Sequence, residues 1–140
     1  MPLGQVLIYP GLGGDMDKGS YLTHAHAPML TRADVVMAAG IRQNAAVDPT
    51  AVPLRDTDFT GLPPTVCIAA ECDPIADDSA AYAAAITAAG GRALAMTEPG
   101  LVHGYLRARH SVPRAAASFT RICDVLTDLA QGIWPPRSIQ

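Results

Sequence analysis

Two polar stretches hold the residue types that general acid–base chemistry needs. Glu71-Cys72-Asp73-Pro74-Ile75-Ala76-Asp77-Asp78 follows the apolar run Thr65–Ala70. Pro99-Gly100-Leu101-Val102-His103-Gly104-Tyr105 follows the run Arg92–Thr97. In open parallel sheets, working residues sit just beyond the carboxyl ends of strands. Neighbouring strand ends of this kind can bring Asp73 and His103 together. An acid that accepts a hydrogen bond from a histidine fixes its tautomer and stabilises its charged form. The other ring nitrogen is then a general base for a hydroxyl nucleophile.

Plainer roles stand beside each of these residues. Asp73 before Pro74 is also a helix N-cap pattern. His103 before Gly104 also suits a turn. Asp77 and Asp78 read as first-turn carboxylates favoured by the helix dipole. Cys72 is a candidate thiolate nucleophile, but no base is placed for it, and a strand-end cysteine more often packs as a small apolar residue. Asp15, Asp17, His24 and His26 form a candidate metal cluster. Its alternate histidines lack the i, i+4 helical spacing of the common zinc motif, so solvated loop residues are the better account. No metal and no cofactor is expected.

The elements that must position these residues follow from punctuation and periodicity. Gln5–Tyr9 is a short, continuously apolar run stopped by Pro10 and Gly11, which suits a strand buried on both faces. A loop follows to Ser20. A helix is expected over Pro28–Ala39, ended by Gly40, with Met29, Leu30, Val36 and Met37 at helical spacing. Asn44–Pro64 is a long irregular connection. Thr65–Ala70 is a second buried strand, and a helix from Pro74 through Ala89 is closed by Gly90-Gly91. Arg92–Thr97 is a third strand, and Glu98–Arg109 a loop or turn. A final helix runs from Pro113 to about Gln131, with Phe119, Ile122, Val125, Leu126 and Leu129 as its core face. Alternating strands and helices imply right-handed parallel crossovers. The expected fold class is therefore α/β, a parallel sheet of about three strands flanked by helices in a three-layer sandwich. A sheet that small leaves the edge of the first strand open, a pairing hazard. The Val6–Tyr9 edge is expected to pair with another chain.

Composition narrows the function classes. The 140 residues hold 10 Lys and Arg against 13 Asp and Glu, so no strongly basic surface for nucleic acid or anionic membranes is expected. With 49% hydrophobic and 16% charged residues the chain is globular. The weakly polar run Ala80–Ala89 is too short to span a bilayer. Met1–Gly14 lacks a basic start and a small-residue cleavage pattern. Cys67, Cys72 and Cys123 are an odd number without metal spacing, read as free thiols. A cytoplasmic location is expected.

Taken together, several segments carry a family likeness. They are Leu62-Pro63-Pro64-Thr65, Ala70–Asp78, Ala81-Tyr82, Ala88–Gly91, Pro99-Gly100 and His103-Gly104-Tyr105. They resemble the C-terminal half of the hormone-sensitive-lipase-like esterases, which have the α/β-hydrolase fold. Gly4–Pro10 resembles that family's sixth strand, and Ser20-Tyr21 the start of its cap segment. The resemblance covers about Gly4 to Gln131 and implies hydrolysis of short-chain carboxylic esters. By it, the family's acid falls on Asp73 and its histidine on His103. Tyr105 and the Tyr21–Met37 segment would line an acyl or alcohol pocket.

One departure is equally informative. Triad order in this fold is Ser, acid, His, with the serine in a G-x-S-x-G turn. None of Ser20, Ser79, Ser111, Ser118 and Ser138 sits in such a turn, and Gly11-Leu12-Gly13-Gly14 lacks the histidine of an HGGG-type oxyanion motif. The expectation is therefore residues 1–140 as the C-terminal portion of an α/β-hydrolase domain, with a cap-like segment at about 15–50 and the nucleophile-bearing N-terminal half absent. Such a chain is expected to be inactive alone. Its expected partners are a small ester substrate and either a separate N-terminal half or a second copy joined through the first strand edge. The alternative is a non-catalytic, self-associating α/β module.

Overall fold

The computed structural model describes residues 2–41 and 48–139. The expected Asn44–Pro64 connection begins within residues 42–47, which lie outside the described residues, whereas the expected stop at Gly40 is itself helical, the helix running on to Ile41. Three parallel strands form one sheet in the order β1-β2-β3: β1 Gln5–Ile8, β2 Thr65–Cys72 and β3 Ala93–Val102. Among the described residues four α-helices accompany them: α1 Ser20–Thr23, α2 Arg32–Ile41, α3 Ala76–Ala88 and α4 Pro113–Ala130.

The layering follows from strand alternation. Val66 and Ile68 of β2 point to one face, where they pack with Ile122, Val125 and Leu129 of α4 and with Val6 and Ile8 of β1. Cys67 points to the other, against Leu12, Tyr82 and Ile86, with Leu7 of β1 beside them. Helices therefore cover both faces of the sheet, as the apolar, non-alternating strands require. Six consecutive residues of β2, Thr65–Ala70, are buried. This is the expected three-layer α/β arrangement.

Among the differences from expectation, three boundaries and one buried face each have a local reason. α2 begins at Arg32 and not at Pro28, because Met29 adopts a left-handed φ of 74° that a helix cannot contain. The helix starts instead on a reciprocal cap: Thr31 Oγ1 accepts the Asp34 N–H at 3.2 Å, and Asp34 Oδ2 accepts the Thr31 N–H at 2.9 Å. Its apolar residues Val36, Met37 and Ile41 are exposed. α3 begins at Ala76 because Asp73 first folds Pro74 and Ile75 into a side-chain-closed turn. β3 continues to Val102, so much of the expected loop is strand. On α4 the buried face runs through Ala115, Ser118, Ile122, Val125 and Leu129, while Phe119 and Leu126 are exposed. A single 3.6-residue stripe cannot include both Ser118 and Phe119 at its centre.

Candidate active site

The end of β2 and the end of β3 meet at Asp73 and His103. Asp73 is fully buried, at 0% exposure. Its Oδ1 accepts the Ile75 N–H at 3.1 Å, and its Oδ2 lies 2.8 Å from His103 Nδ1. The capping and pairing roles are thus filled at once, by the two oxygens of one carboxylate. An ionised carboxylate only accepts, so Nδ1 carries the proton in this pair and Nε2 of the neutral ring is an acceptor. The His103 side chain keeps 28% of its surface exposed, so the ring is reachable.

Aromatic packing holds the ring from a second side. The Tyr9 ring meets the His103 ring edge-on, with centroids 4.7 Å apart, and also the Tyr105 ring at 5.4 Å. Tyr9 sits immediately after β1 with φ of 36°, a conformation costly for a bulky side chain. Its N–H bonds the Ile68 carbonyl at 2.6 Å, which anchors that turn to β2. Tyr105 is buried and its hydroxyl lies 2.6 Å from Ser118 Oγ, tying the His103 turn to α4. Burial pushes the Tyr105 hydroxyl above its ordinary range, with the Ser118 hydrogen bond opposing.

The segment leaving β1 is held by the acids that open α3. Asp77 and Asp78 lie in the first turn of α3 as expected, and Asp78 is in addition buried, at 1% exposure. Its Oδ2 accepts the Leu12 N–H at 2.7 Å and the Tyr21 hydroxyl at 3.0 Å. Burial raises its pKa, and these hydrogen bonds oppose the rise. The same burial, with the Asp78 charge, pushes the Tyr21 hydroxyl up. Asp77 Oδ2 accepts the Ser20 N–H at 2.8 Å, while Ser20 Oγ donates to the Pro74 carbonyl at 2.8 Å. The expected pocket residues Tyr21 and Tyr105 are therefore engaged inside the fold.

The remaining candidates are not brought together. Asp15 pairs with Lys18 and Asp17 with Arg32, while His24 and His26 line a separate depression beside Cys72. Among the described residues no group of three or more His, Cys, Asp or Glu could hold a metal ion. A cavity of about 740 Å³ lined by Gly13, Gly14, Asp15, Val52, Leu54 and Arg55 does not include Asp73 or His103. Sequence reasoning missed Tyr9, Glu71 and the burial of Asp78. Tyr9 carried one usable signal, its place at the end of a strand beside Pro10.

A parallel α/β sandwich of this kind is the fold of a large family, and the chain belongs to it: the α/β-hydrolase fold family model matches residues 1–107. The likeness extends to individual esterases. The chain is 37% identical over 124 residues to carboxylesterase NlhH of Mycobacterium tuberculosis, covering 84% of this chain and 39% of that protein. The Pyrobaculum calidifontis esterase matches with a TM-score of 0.78 and 29% identity, over 91% of this chain and 43% of that one. A bacterial heroin esterase matches with a TM-score of 0.78 and 26% identity, over 94% and 43%. The resemblance to part of an esterase of the hormone-sensitive-lipase-like group holds. The chain spans about two fifths of the length of the curated relatives it matches.

Proposed function

We propose that residues 1–140 are the C-terminal portion of an ester-hydrolase domain and supply its acid–histidine arm. Asp73 orients His103 through Nδ1. His103 Nε2 takes the proton from a serine hydroxyl as that oxygen attacks the ester carbonyl, then returns it to the departing alcohol. Water repeats the sequence on the acyl-enzyme. The serine and its oxyanion donors come from outside these residues, since no G-x-S-x-G or HGGG-type motif lies within them. The 140 residues alone are therefore inactive, and the substrate is a short-chain carboxylic ester. The observation that carries this reading is the 2.8 Å contact between a fully buried Asp73 and a reachable His103.

The test is complementation. The chain is mixed with the part of carboxylesterase NlhH that it does not match, and p-nitrophenyl butyrate hydrolysis is followed. Neither piece alone should act, the mixture should, and His103→Ala should abolish it. A mixture that copurifies yet stays inactive, or one indifferent to His103→Ala, overturns the reading.

A second reading rests on the β1 edge: the chain is a non-catalytic module that self-associates there. Gln5 and Tyr9 donate their N–H groups toward β2, so strand alternation turns those of Val6 and Ile8 to the open side. Val6→Pro removes one outward donor and no bond to β2. Under this reading light scattering shows a parent dimer and a Val6→Pro monomer; a parent monomer rejects it. Three unpaired cysteines fit a reducing, cytoplasmic setting. Among the described residues no helix is long and apolar enough to cross a membrane.

A further inference from the structure

The ladder between β2 and β3 changes register just before the acid and the histidine. Ala70 pairs with Glu98, but Cys72 pairs with Val102. Pro99, Gly100 and Leu101 thus stand opposite the single residue Glu71. β3 is lengthened by two residues relative to β2, and the alternation of faces survives because the excess is even. Its consequence is positional. On the register of Ala70 with Glu98, Leu101 would stand beside Asp73. His103 would overshoot by two residues, roughly 6.6 Å at the usual strand rise. On the shifted register, Asp73 and His103 come side by side, and their side chains meet at 2.8 Å.

A three-for-one bulge leaves backbone groups without ladder partners. Pro99 has no N–H to satisfy. The Gly100 N–H is satisfied by a side chain: Glu71 Oε2 accepts it at 2.6 Å, a charge-assisted bond. Gly100 itself has φ of 68°, a left-handed conformation that glycine adopts without strain. The bulge thus has a glycine that permits it and a carboxylate that closes it. Beyond it, Leu101 turns into a cluster with Ala70, Tyr105 and Ala115.

We propose that Glu71 is a positioning residue for His103: by holding the Gly100 N–H it locks the bulge that sets the imidazole beside Asp73. Glu71 touches neither the ring nor Asp73 in any bond described, and acts through the backbone of β3. The inference rests on the reading of His103 as the catalytic base, yet its first test needs no catalysis.

That test is the His103 Nδ1–H resonance of the intact 140-residue chain, assigned by its loss in His103→Asn. The parent should show it downfield and protected from exchange. Glu71→Ala should broaden or erase it. Glu71→Gln keeps an acceptor at the same reach and should restore it. Glu71→Asp keeps the charge but withdraws the oxygen by one methylene, and should fail like Ala. Circular dichroism checks the fold; if Glu71→Ala does not fold, the contrast of Asp with Gln decides. A resonance unchanged in the folded Glu71→Ala chain, or in Glu71→Asp when Ala does not fold, overturns the proposal, and so does its absence from the parent. In the complemented enzyme, Glu71→Ala should lower kcat about tenfold with KM nearly unchanged, and Glu71→Gln should recover most of it. If the complementing mixture copurifies yet stays inactive, the hydrolase reading falls while the resonance still decides the role of Glu71.

Discussion

The two edges of this sheet are built differently. β3 is finished as an edge. It carries Pro99, a bulge and the left-handed Gly100, all of which discourage a further strand. Its Glu98, 4% exposed, is closed off by Arg121 of α4 at 3.1 and 3.2 Å. β1 carries none of these devices. Its four residues, Gln5–Ile8, are each only half buried, and among the described residues it has a strand on one side only. Val6, Leu7 and Ile8 make an apolar run of the kind found inside sheets. The contrast teaches that β3 ends a sheet and that β1 has the chemistry of an interior strand.

Mutations can break this contrast or sharpen it. The largest effect is expected at the shared neighbour: Ile68→Ala on β2 should cost about 3–4 kcal/mol in urea unfolding. Ile8→Ala on β1 should cost about 1–2 kcal/mol, because its site is half open. If the complementing esterase piece is present and covers β1, that smaller value should rise toward the larger one. An Ile8→Ala cost equal to that of Ile68→Ala in the chain alone would erase the contrast.

The finished edge has its own test. Arg121→Met leaves the Glu98 carboxylate buried without its partner and should cost about 2 kcal/mol, moderated because Arg121 is one-third exposed. Glu98→Gln with Arg121→Met should recover part of it in a double-mutant cycle. At the end of β1, Tyr9→Gly and Tyr9→Ala both lose the ring contacts, but only Gly accepts φ of 36° without strain. The Gly variant should be the more stable of the two by about 1 kcal/mol.

The smallest expected effect is in pH dependence, and the two sides should differ in sign. Burial raises the Asp78 pKa above 3.8. The stability linked to Asp78 is then fully present below 3.8 and is lost as pH rises through its raised folded value. Asp128 on α4 is the reverse. Hydrogen bonds from the Arg137 side chain and backbone hold its carboxyl below 3.8, so its contribution is present above 3.8 and lost as pH falls through the lowered value. Urea midpoints from pH 2 upward for Asp78→Asn and Asp128→Asn should show opposite changes in slope against the parent. Slopes changing in the same direction would contradict this assignment.

Much of the site was legible because its two groups are tied to local signals. Asp73 follows an apolar run and precedes a proline, and His103 follows the next run at a glycine. The layer order was legible for the same reason, since buried strands and amphipathic helices carry their own periodicity. What lay hidden was whatever depends on register. Neither Glu71 nor Gly100 announces a bulge, because the bulge exists only when two strands are laid side by side. Asp78 looked like any acid in a first helical turn, and its burial depends on Leu12 and Tyr21 folding over it from far along the chain. Thr31 with Asp34 was a readable cap, but Pro28 offered a competing start, and nothing local marks the left-handed Met29.

The two ladders also differ in the chain they must close. Gln5 meets Thr65 across 60 residues, whereas Thr65 meets Ala93 across roughly half that separation. Each doubling of a loop adds about 0.6 kcal/mol of closure entropy. The β2–α3–β3 crossover also stiffens its own loop by forming a helix within it. Folding should therefore begin with β2, α3 and β3, and β1 should join last. Pulsed hydrogen exchange would then protect Val66–Ala70 before Val6–Ile8, and the strand with the open edge would be the last to lose its choice of neighbour.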